Sequence, residues 1–175
     1  MTTTTTTRWL TAQQQHAWRA YLVATTLLTE RLDRDLREQH DLSLPEYEIL
    51  VRLSEAPRRQ LRMAMLAESV SHSRSRVTHT VARMEQAGLV RRVSCPSDRR
   101  GVLAEMTPTG LATLEKAAHT HVRGVRENLV DLADPDDFLA MGRVFDSVAD
   151  QLFDGSPWSG TDLRSSTCRT TGARA

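Results

Sequence analysis

Residues 73–92, SRSRVTHTVARMEQAGLVRR, form the stretch on which the predicted fold depends. Val77, Val81 and Met84 recur at helical spacing and predict a helix that buries this one face. Gly88 follows at the position where a left-handed C-terminal cap is favoured. The opposite face is small and polar, with threonine and arginine at its edges: Ser75, His79, Ala82 and Gln86, flanked by Arg76, Thr78 and Arg83.

A shorter predicted helix over 62–69 and a tight turn precede this helix, which spans about 73–87. A short helix, a tight turn and a second helix are typical of a helix-turn-helix, whose second helix enters the major groove of DNA. Small polar side chains allow close approach to the groove, and arginines at the edge suit phosphates or guanine. A surface helix without this role is more often rich in Glu and Lys, whereas Glu85 is the single acidic residue here.

The next stretch, CPSDRRGVLAEMTPTG (95–110), predicts a β-hairpin with strands at 89–95 and 101–107. Its turn combines an aspartate with two arginines. Arginines in a turn are either solvated or bound to something negative, and the sequence of the hairpin alone leaves both alternatives open.

The charge of the chain is unevenly distributed. Residues 57–100 hold ten arginines against three acidic residues, a net charge of +7, while the whole chain has +1, so the remainder carries −6. This asymmetry is expected of a nucleic-acid-binding face on an acidic body. A solvated basic surface is the alternative.

Long amphipathic helices are predicted near both ends of the chain. One covers 10–39, and Ser43 with Glu46 forms a capping box that starts the next helix. Thr107-Pro108 and Asp134-Pro135 start the last two. Their apolar stripes favour a partner helix, from the same chain or from a second copy. The predicted dimer interface comprises Trp18, Tyr21, Leu22, Phe138, Met141, Phe145, Val148 and Leu152.

Other classes of protein find little support in the sequence. No apolar run approaches the roughly 18 residues of a membrane span, and no secretory signal is present, so a cytoplasmic protein is expected. Cys95 and Cys168 are too few for a disulfide framework or a metal cluster, and His119 and His121 do not share a helix face. No cofactor or metal is expected. Nucleophile elbows, phosphate loops and zinc-protease motifs are absent, so we expect no enzyme.

With the helix and the hairpin together, the chain resembles the MarR family of winged helix-turn-helix transcription regulators. The pattern consists of Ser, Val-Thr, an apolar-acidic pair, Gly-Leu-Val, Asp-x-Arg and Thr-x-x-Gly within 73–92 and 95–110. The resemblance implies a mainly α fold: a winged helix-turn-helix with long N- and C-terminal dimerisation helices and a two-stranded β wing. Residues 10–39 and 108–152 would dimerise and 43–107 would bind DNA. Residues 1–9 and 153–175 are predicted to be disordered tails.

The resemblance also implies roles for the hairpin. Arg100, in the Asp-x-Arg motif, would enter the minor groove, Arg99 would meet phosphate, and Asp98 would hold an arginine by a bidentate hydrogen bond. Two positions depart from the family pattern, since His79 replaces a common Arg and Cys95 a common Asp. The full predicted DNA-binding set is Arg62, Ser73, Arg74, Ser75, Arg76, Thr78, His79, Arg83, Ser97, Asp98, Arg99 and Arg100.

The implied function is that of a homodimeric, sequence-specific regulator of transcription, a repressor by preference, on a pseudo-palindromic operator. Relatives bind small aromatic acids between the dimer helices and the DNA-binding lobe, so a small aromatic or phenolic effector is a further expectation. His16 with Trp18 and Tyr21 could line such a pocket, although ordinary packing explains these residues equally well. An architectural DNA-binding protein without an effector and a module that binds an acidic protein remain as alternatives.

Overall fold

The computed structural model of the chain describes residues 7–95 and 98–152, with the backbone alone for 98–100. Its helices are α1 (Ala12–His40), α2 (Leu44–Glu55), α3 (Met63–Ser69), α4 (Arg74–Gln86), α5 (Pro108–Asn128) and α6 (Pro135–Leu152). Its strands are β1 (Gln60–Arg62), β2 (Val90–Cys95) and β3 (Asp98–Met106). Single 3₁₀ turns lie at Pro57–Arg59 and Val130–Leu132. The predicted mainly α, winged helix-turn-helix fold is confirmed.

The helix boundaries follow the predicted caps. The Ser73 hydroxyl accepts a hydrogen bond from the first turn of α4, and the Thr107 hydroxyl does the same for α5. Gly88 adopts a φ of 72°, the left-handed conformation expected after α4. The capping box at the start of α2 is also present. Local side-chain chemistry therefore sets where most of these helices begin and end.

The sheet differs from the predicted two-stranded hairpin in two respects. It has three strands in the order β1-β3-β2, because the short strand β1 adds to the far side of β3. Three residues are too few to show an alternating pattern, so the sequence did not reveal this strand. Strand β3 also starts three residues earlier than predicted, at Asp98 instead of 101.

The early start of β3 changes the position of the two arginines. Ser94 pairs with Val102, whereas Cys95 pairs with Asp98, so residues 99–101 have no counterpart on β2. Such an irregularity bends the strand. Arg99 and Arg100 therefore belong to an irregular segment of β3 and not to the predicted turn, and residues 96 and 97 lie outside the described part of the chain.

The apolar core packs against one face of α4. Val77, Val81 and Met84 are at most 1% exposed, which confirms the predicted buried face of this helix. They belong to one cluster with the C-terminal end of α1, with α2, with α3 and with the sheet. The outer helices lie largely outside this core: α6 has no buried residue, and α1 has only Leu32 and Leu36.

The start of α5 packs tightly against the chain segment that leaves α4. The Thr107 hydroxyl contacts the carbonyl oxygens of Gly88 and Leu89 at 2.7 and 3.0 Å, and Thr107 N–H donates to Leu89. Gly110 lies so close that a Cβ atom added to it would be 2.1 Å from the Leu89 carbonyl oxygen. The Thr-x-x-Gly motif thus joins α5 to the base of the hairpin through backbone contacts.

We predict that Gly110→Ala destabilises the protein by about 1–3 kcal/mol, the usual cost of forcing extra atoms into a packed site. The obstacle is a backbone carbonyl, which cannot rotate away as a side chain can. Gly142→Ala is the matched control, because nothing lies within 4 Å of its added Cβ and alanine favours the helix. Urea unfolding at one fixed protein concentration measures both variants. Equal stability of the Gly110 variant and the wild type would contradict this packing.

Candidate nucleic-acid interface

The solvent-facing side of α4 carries the polar residues predicted for it. Ser73, which precedes the helix, and six residues of the helix are exposed: Arg74, Ser75, Arg76, Thr78, His79 and Arg83. The Thr78 hydroxyl donates to the Arg74 carbonyl oxygen at 2.8 Å, so its proton is used within the helix. Its methyl group and oxygen lone pairs remain for an outside contact. The fold thus gathers these side chains on one convex, basic surface.

Arg83, on the last turn of α4, is held by a residue of α2. Its Nε donates to Oε1 of Glu46 at 2.9 Å. The Arg83 side chain is 62% exposed and that of Glu46 only 11%, so the bond joins a buried acid to a surface cation. The sequence predicted an arginine at the edge of the exposed face, but not this partner 37 residues away.

Glu46 is at the same time part of the capping box of α2. Its Oε2 accepts hydrogen bonds from the backbone N–H and the hydroxyl of Ser43. Burial alone would raise the pKa of the Glu46 carboxyl, but the bonds from Ser43 and the ion pair with Arg83 outweigh burial and lower the pKa from its ordinary value. Glu46 is therefore a carboxylate with both oxygens bound.

Strand β2 is tied to α4 by Arg92 and Glu85. The Arg92 guanidinium donates to the Thr78 carbonyl oxygen at 3.0 Å, and its Nε lies 3.8 Å from Glu85. Glu85 also accepts the Arg92 backbone N–H at 3.0 Å. Because β2 is an edge strand, this N–H has no strand partner on its outer side, and the carboxylate supplies one. The hairpin is thereby fixed next to the exposed face of α4.

Between α4 and the hairpin lies an open cleft of about 440 Å³, which contains Arg62, Thr78 and Arg92. Arg62 is half-buried, and its Nη2 lies 3.5 Å from Sγ of the buried Cys95. Two cations therefore line this cleft together with the apolar residues Met63, Ala64 and Val102.

Four residues of the predicted DNA-binding set were expected at the tip of the hairpin. Ser97 lies outside the described residues, and the structure describes Asp98, Arg99 and Arg100 by their backbone. These three residues are at the end of β3 farthest from Met106, which pairs with Val90 at the base of the hairpin. The bracing of an arginine by Asp98 stays a prediction.

The predicted dimer residues form an apolar surface on α1 and α6. Trp18, Tyr21 and Leu22 are 40–52% exposed, Phe145, Val148 and Leu152 are 38–76% exposed, and Phe138 and Met141 are half-buried. Within the chain the two helices meet where the rings of Tyr21 and Phe145 lie 5.3 Å apart. Packing inside one chain thus covers only part of these side chains.

Sequence reasoning missed three residues that support the interface. Glu46 was identified as a cap, but its bond to Arg83 spans two helices. Arg92 and Glu85 lie in the quoted stretch, yet their contact depends on how the strand folds back along α4. Local spacing carries no signal for such contacts.

Among the described residues, no helix is both long and apolar enough to cross a membrane.

Two solved structures are closely similar to the chain. Sco3205, a MarR family transcriptional regulator from Streptomyces coelicolor crystallised in complex with DNA, matches with a TM-score of 0.83 and 42% sequence identity over 88% of this chain and 98% of that chain. AbsC, another MarR family transcriptional regulator from the same organism, matches with a TM-score of 0.79 and 44% identity over 83% and 98%.

Sequence comparison points in the same direction. The MarR family model matches residues 42–102, from the start of α2 into β3. The HTH-type transcriptional regulator PecS of Dickeya dadantii (strain 3937) is 29% identical over 106 residues, which cover 59% of this chain and 63% of PecS. With this fold and with relatives above 40% identity over nearly their whole length, the chain belongs to the MarR family of transcriptional regulators.

Proposed function

We propose that the chain regulates transcription by binding DNA as a homodimer, with α4 as the recognition helix and the β2–β3 hairpin as the wing. The observation that carries this proposal is the exposed face of α4. It presents arginines and small polar groups, while the helix buries Val77, Val81 and Met84 on its other side. The DNA complex of the similar protein Sco3205 supports the same partner for this chain.

The proposed contacts divide by chemistry. The middle of the exposed face, Ser75 and His79, would approach base edges in the major groove. Arginines at its margins would bind phosphates and fix the orientation of the protein. In the wing, Arg100 would enter the minor groove and Arg99 would meet phosphate, with Asp98 as a brace. The complete proposed set remains Arg62, Ser73, Arg74, Ser75, Arg76, Thr78, His79, Arg83, Ser97, Asp98, Arg99 and Arg100.

We propose that a second copy of the chain packs against the apolar surface of α1 and α6. Six of its side chains are at least 38% exposed in the single chain, and contiguous apolar surface of this kind is typical of an interface. A two-fold dimer would present two recognition helices to half-sites about one helical turn apart, near 34–36 Å. A pseudo-palindromic operator follows from that symmetry. Repression follows most simply if the bound dimer blocks a promoter in the cytoplasm.

An effector site is proposed in a cleft of about 380 Å³ between α2, the α3–α4 turn and α5. The rings of Tyr47 and His121, 4.4 Å apart, form one wall, and Arg52 lies on the same cleft. Burial lowers the pKa of His121 and raises the pKa of Glu48, which also lines the cleft. An aromatic wall with one cation suits a small aromatic acid or phenol. Such a ligand would change DNA affinity by its preference for one spacing of the recognition helices.

The first prediction concerns DNA binding itself. The purified protein should enrich specific duplexes from a random-sequence library, and its affinity for them should fall steeply with salt. If about eight phosphates are neutralised in the dimer, the log–log slope is roughly −7. Fluorescence anisotropy between low and physiological salt measures this slope. Tight binding without sequence preference would favour an architectural protein, and the absence of DNA binding would favour an acidic protein partner.

The second prediction concerns the bond between wing and recognition helix. Arg92→Ala removes a cation together with its side-chain bonds from β2 to α4 and leaves only the backbone bond to Glu85. Arg91→Ala removes a cation whose partner, Glu105, lies within the hairpin at 2.7 Å. Both variants lose the same charge from neighbouring positions. We expect Arg92→Ala to weaken binding to the enriched duplex several-fold more than Arg91→Ala, since a loose wing must be ordered on binding. Equal losses would remove the wing contact from the mechanism.

The third prediction concerns assembly. Phe145→Asp should dissociate the dimer and weaken DNA binding, because it places an unpaired charge in the proposed interface. Ser147→Asp adds the same charge on the opposite face of α6 and should leave both properties unchanged. Light scattering at micromolar concentration gives the mass of each variant. A wild-type monomer that binds DNA tightly would contradict the proposed dimer.

A further inference from the structure

We propose that Glu46 is a positioning residue for DNA binding, which orients Arg83 of the recognition helix and ties this helix to the junction of α1 and α2. This role presupposes the DNA binding proposed for the chain and adds to it a residue that does not itself touch DNA. It would make the basic surface of α4 partly dependent on an acid buried beneath it.

The Nε atom and the two terminal nitrogens of the Arg83 guanidinium have different roles in this arrangement. Nε, the donor nearest the helix, is bound to Glu46 Oε1 at 2.9 Å. An arginine has five N–H donors in a rigid planar fork, so the four donors on the terminal nitrogens are set in direction once Nε is fixed. The Arg83 side chain is 62% exposed, so it remains accessible to DNA while Nε is bound to Glu46.

Fixing Arg83 before binding lowers the entropic cost of its contact with DNA. A free arginine side chain loses rotamer freedom when it is ordered, at a cost of up to about 30-fold in affinity. The bond to Glu46 removes part of this freedom in the unbound protein. The same bond carries a cost, because the carboxylate places a negative charge near a phosphate-binding surface. Pure electrostatics and positioning therefore predict opposite effects for removing the charge of Glu46.

Glu46 can position another residue because it is itself fixed. Its second oxygen is bound by the backbone and hydroxyl of Ser43. The next residue, Leu44, donates its N–H to Asp33 of α1 at 2.8 Å, and Asp33 also binds Arg37 at 2.6 Å. A continuous series of polar contacts thus runs from α1, a proposed dimerisation helix, through the start of α2 to the recognition helix.

The experiment is a double-mutant cycle of Glu46→Gln and Arg83→Ala on a duplex that the wild-type protein enriches from a random-sequence library. Glu46→Gln keeps the size of the side chain and removes its charge. Dissociation constants are measured by fluorescence anisotropy at one low salt concentration, with thermal unfolding recorded for each variant. Ser43→Ala is the control for the capping role, because it removes a bond to Glu46 and leaves the bond to Arg83 in place.

We expect Glu46→Gln to weaken DNA binding about 3- to 10-fold, the range that partial loss of side-chain ordering allows. In the Arg83→Ala background the same substitution should have no further effect on DNA affinity, because the residue on which it acts is gone. Ser43→Ala removes only one of the two bonds that Ser43 makes to Glu46, so it should lower the unfolding temperature and weaken DNA binding less than Glu46→Gln does.

Tighter binding by Glu46→Gln, or equal losses in both backgrounds, would overturn the positioning role and leave the proposed function intact. If Glu46→Gln does not fold, Glu46→Asp replaces it in the cycle, since it keeps the charge but shortens the side chain. A wild-type protein that enriches no duplex would overturn the proposed function, and the positioning role with it.

Discussion

The burial of one face of α4 is the constraint on which the rest of this structure depends. Val77, Val81 and Met84 lie in the core, and each contributes roughly 1.5–3 kcal/mol relative to exposure. Since a helix has only one way to bury these positions, the opposite face must point to solvent with its arginines and small polar groups. The proposed DNA-binding surface is thus the complement of the core.

Three contacts then fix the surroundings of that helix, and each joins it to a different part of the chain. Glu46 connects it to α2 through Arg83, Arg92 connects it to the wing, and Thr107 connects the segment that follows it to α5. All three are hydrogen bonds that involve backbone groups or charged side chains, and such bonds require a defined direction. Apolar side chains in the core can instead repack with small shifts in position. These polar contacts therefore hold α4 and the segment after it against α2, the β2–β3 hairpin and α5.

The outer helices α1 and α6 are stabilised differently from the elements packed around α4. α6 contributes no buried residue, and most of α1 is exposed along its N-terminal half, so neither obtains much stability from the core of a single chain. Helices in this situation depend on tertiary or quaternary packing, because helix propensity alone gives little. This division agrees with a family of regulators in which DNA binding and assembly occupy separate parts of the chain. Membership in that family also confirms that the chain is not an enzyme.

The sequence by itself determined the features that rest on local rules. Helical spacing gave the buried and exposed faces of α4, and capping residues gave the starts of α2 and α5, since both depend on neighbours within four positions. Only the tertiary structure shows that β1 adds a strand to the sheet, that β3 starts at Asp98, and which residues bind Arg83 and Arg92. The pairing of β1 with β3 and the bond between Arg83 and Glu46 join residues 37 to 45 positions apart, and no periodicity records such distances. The sequence thus identified which residues face solvent, and only the fold decided which of them are held in place.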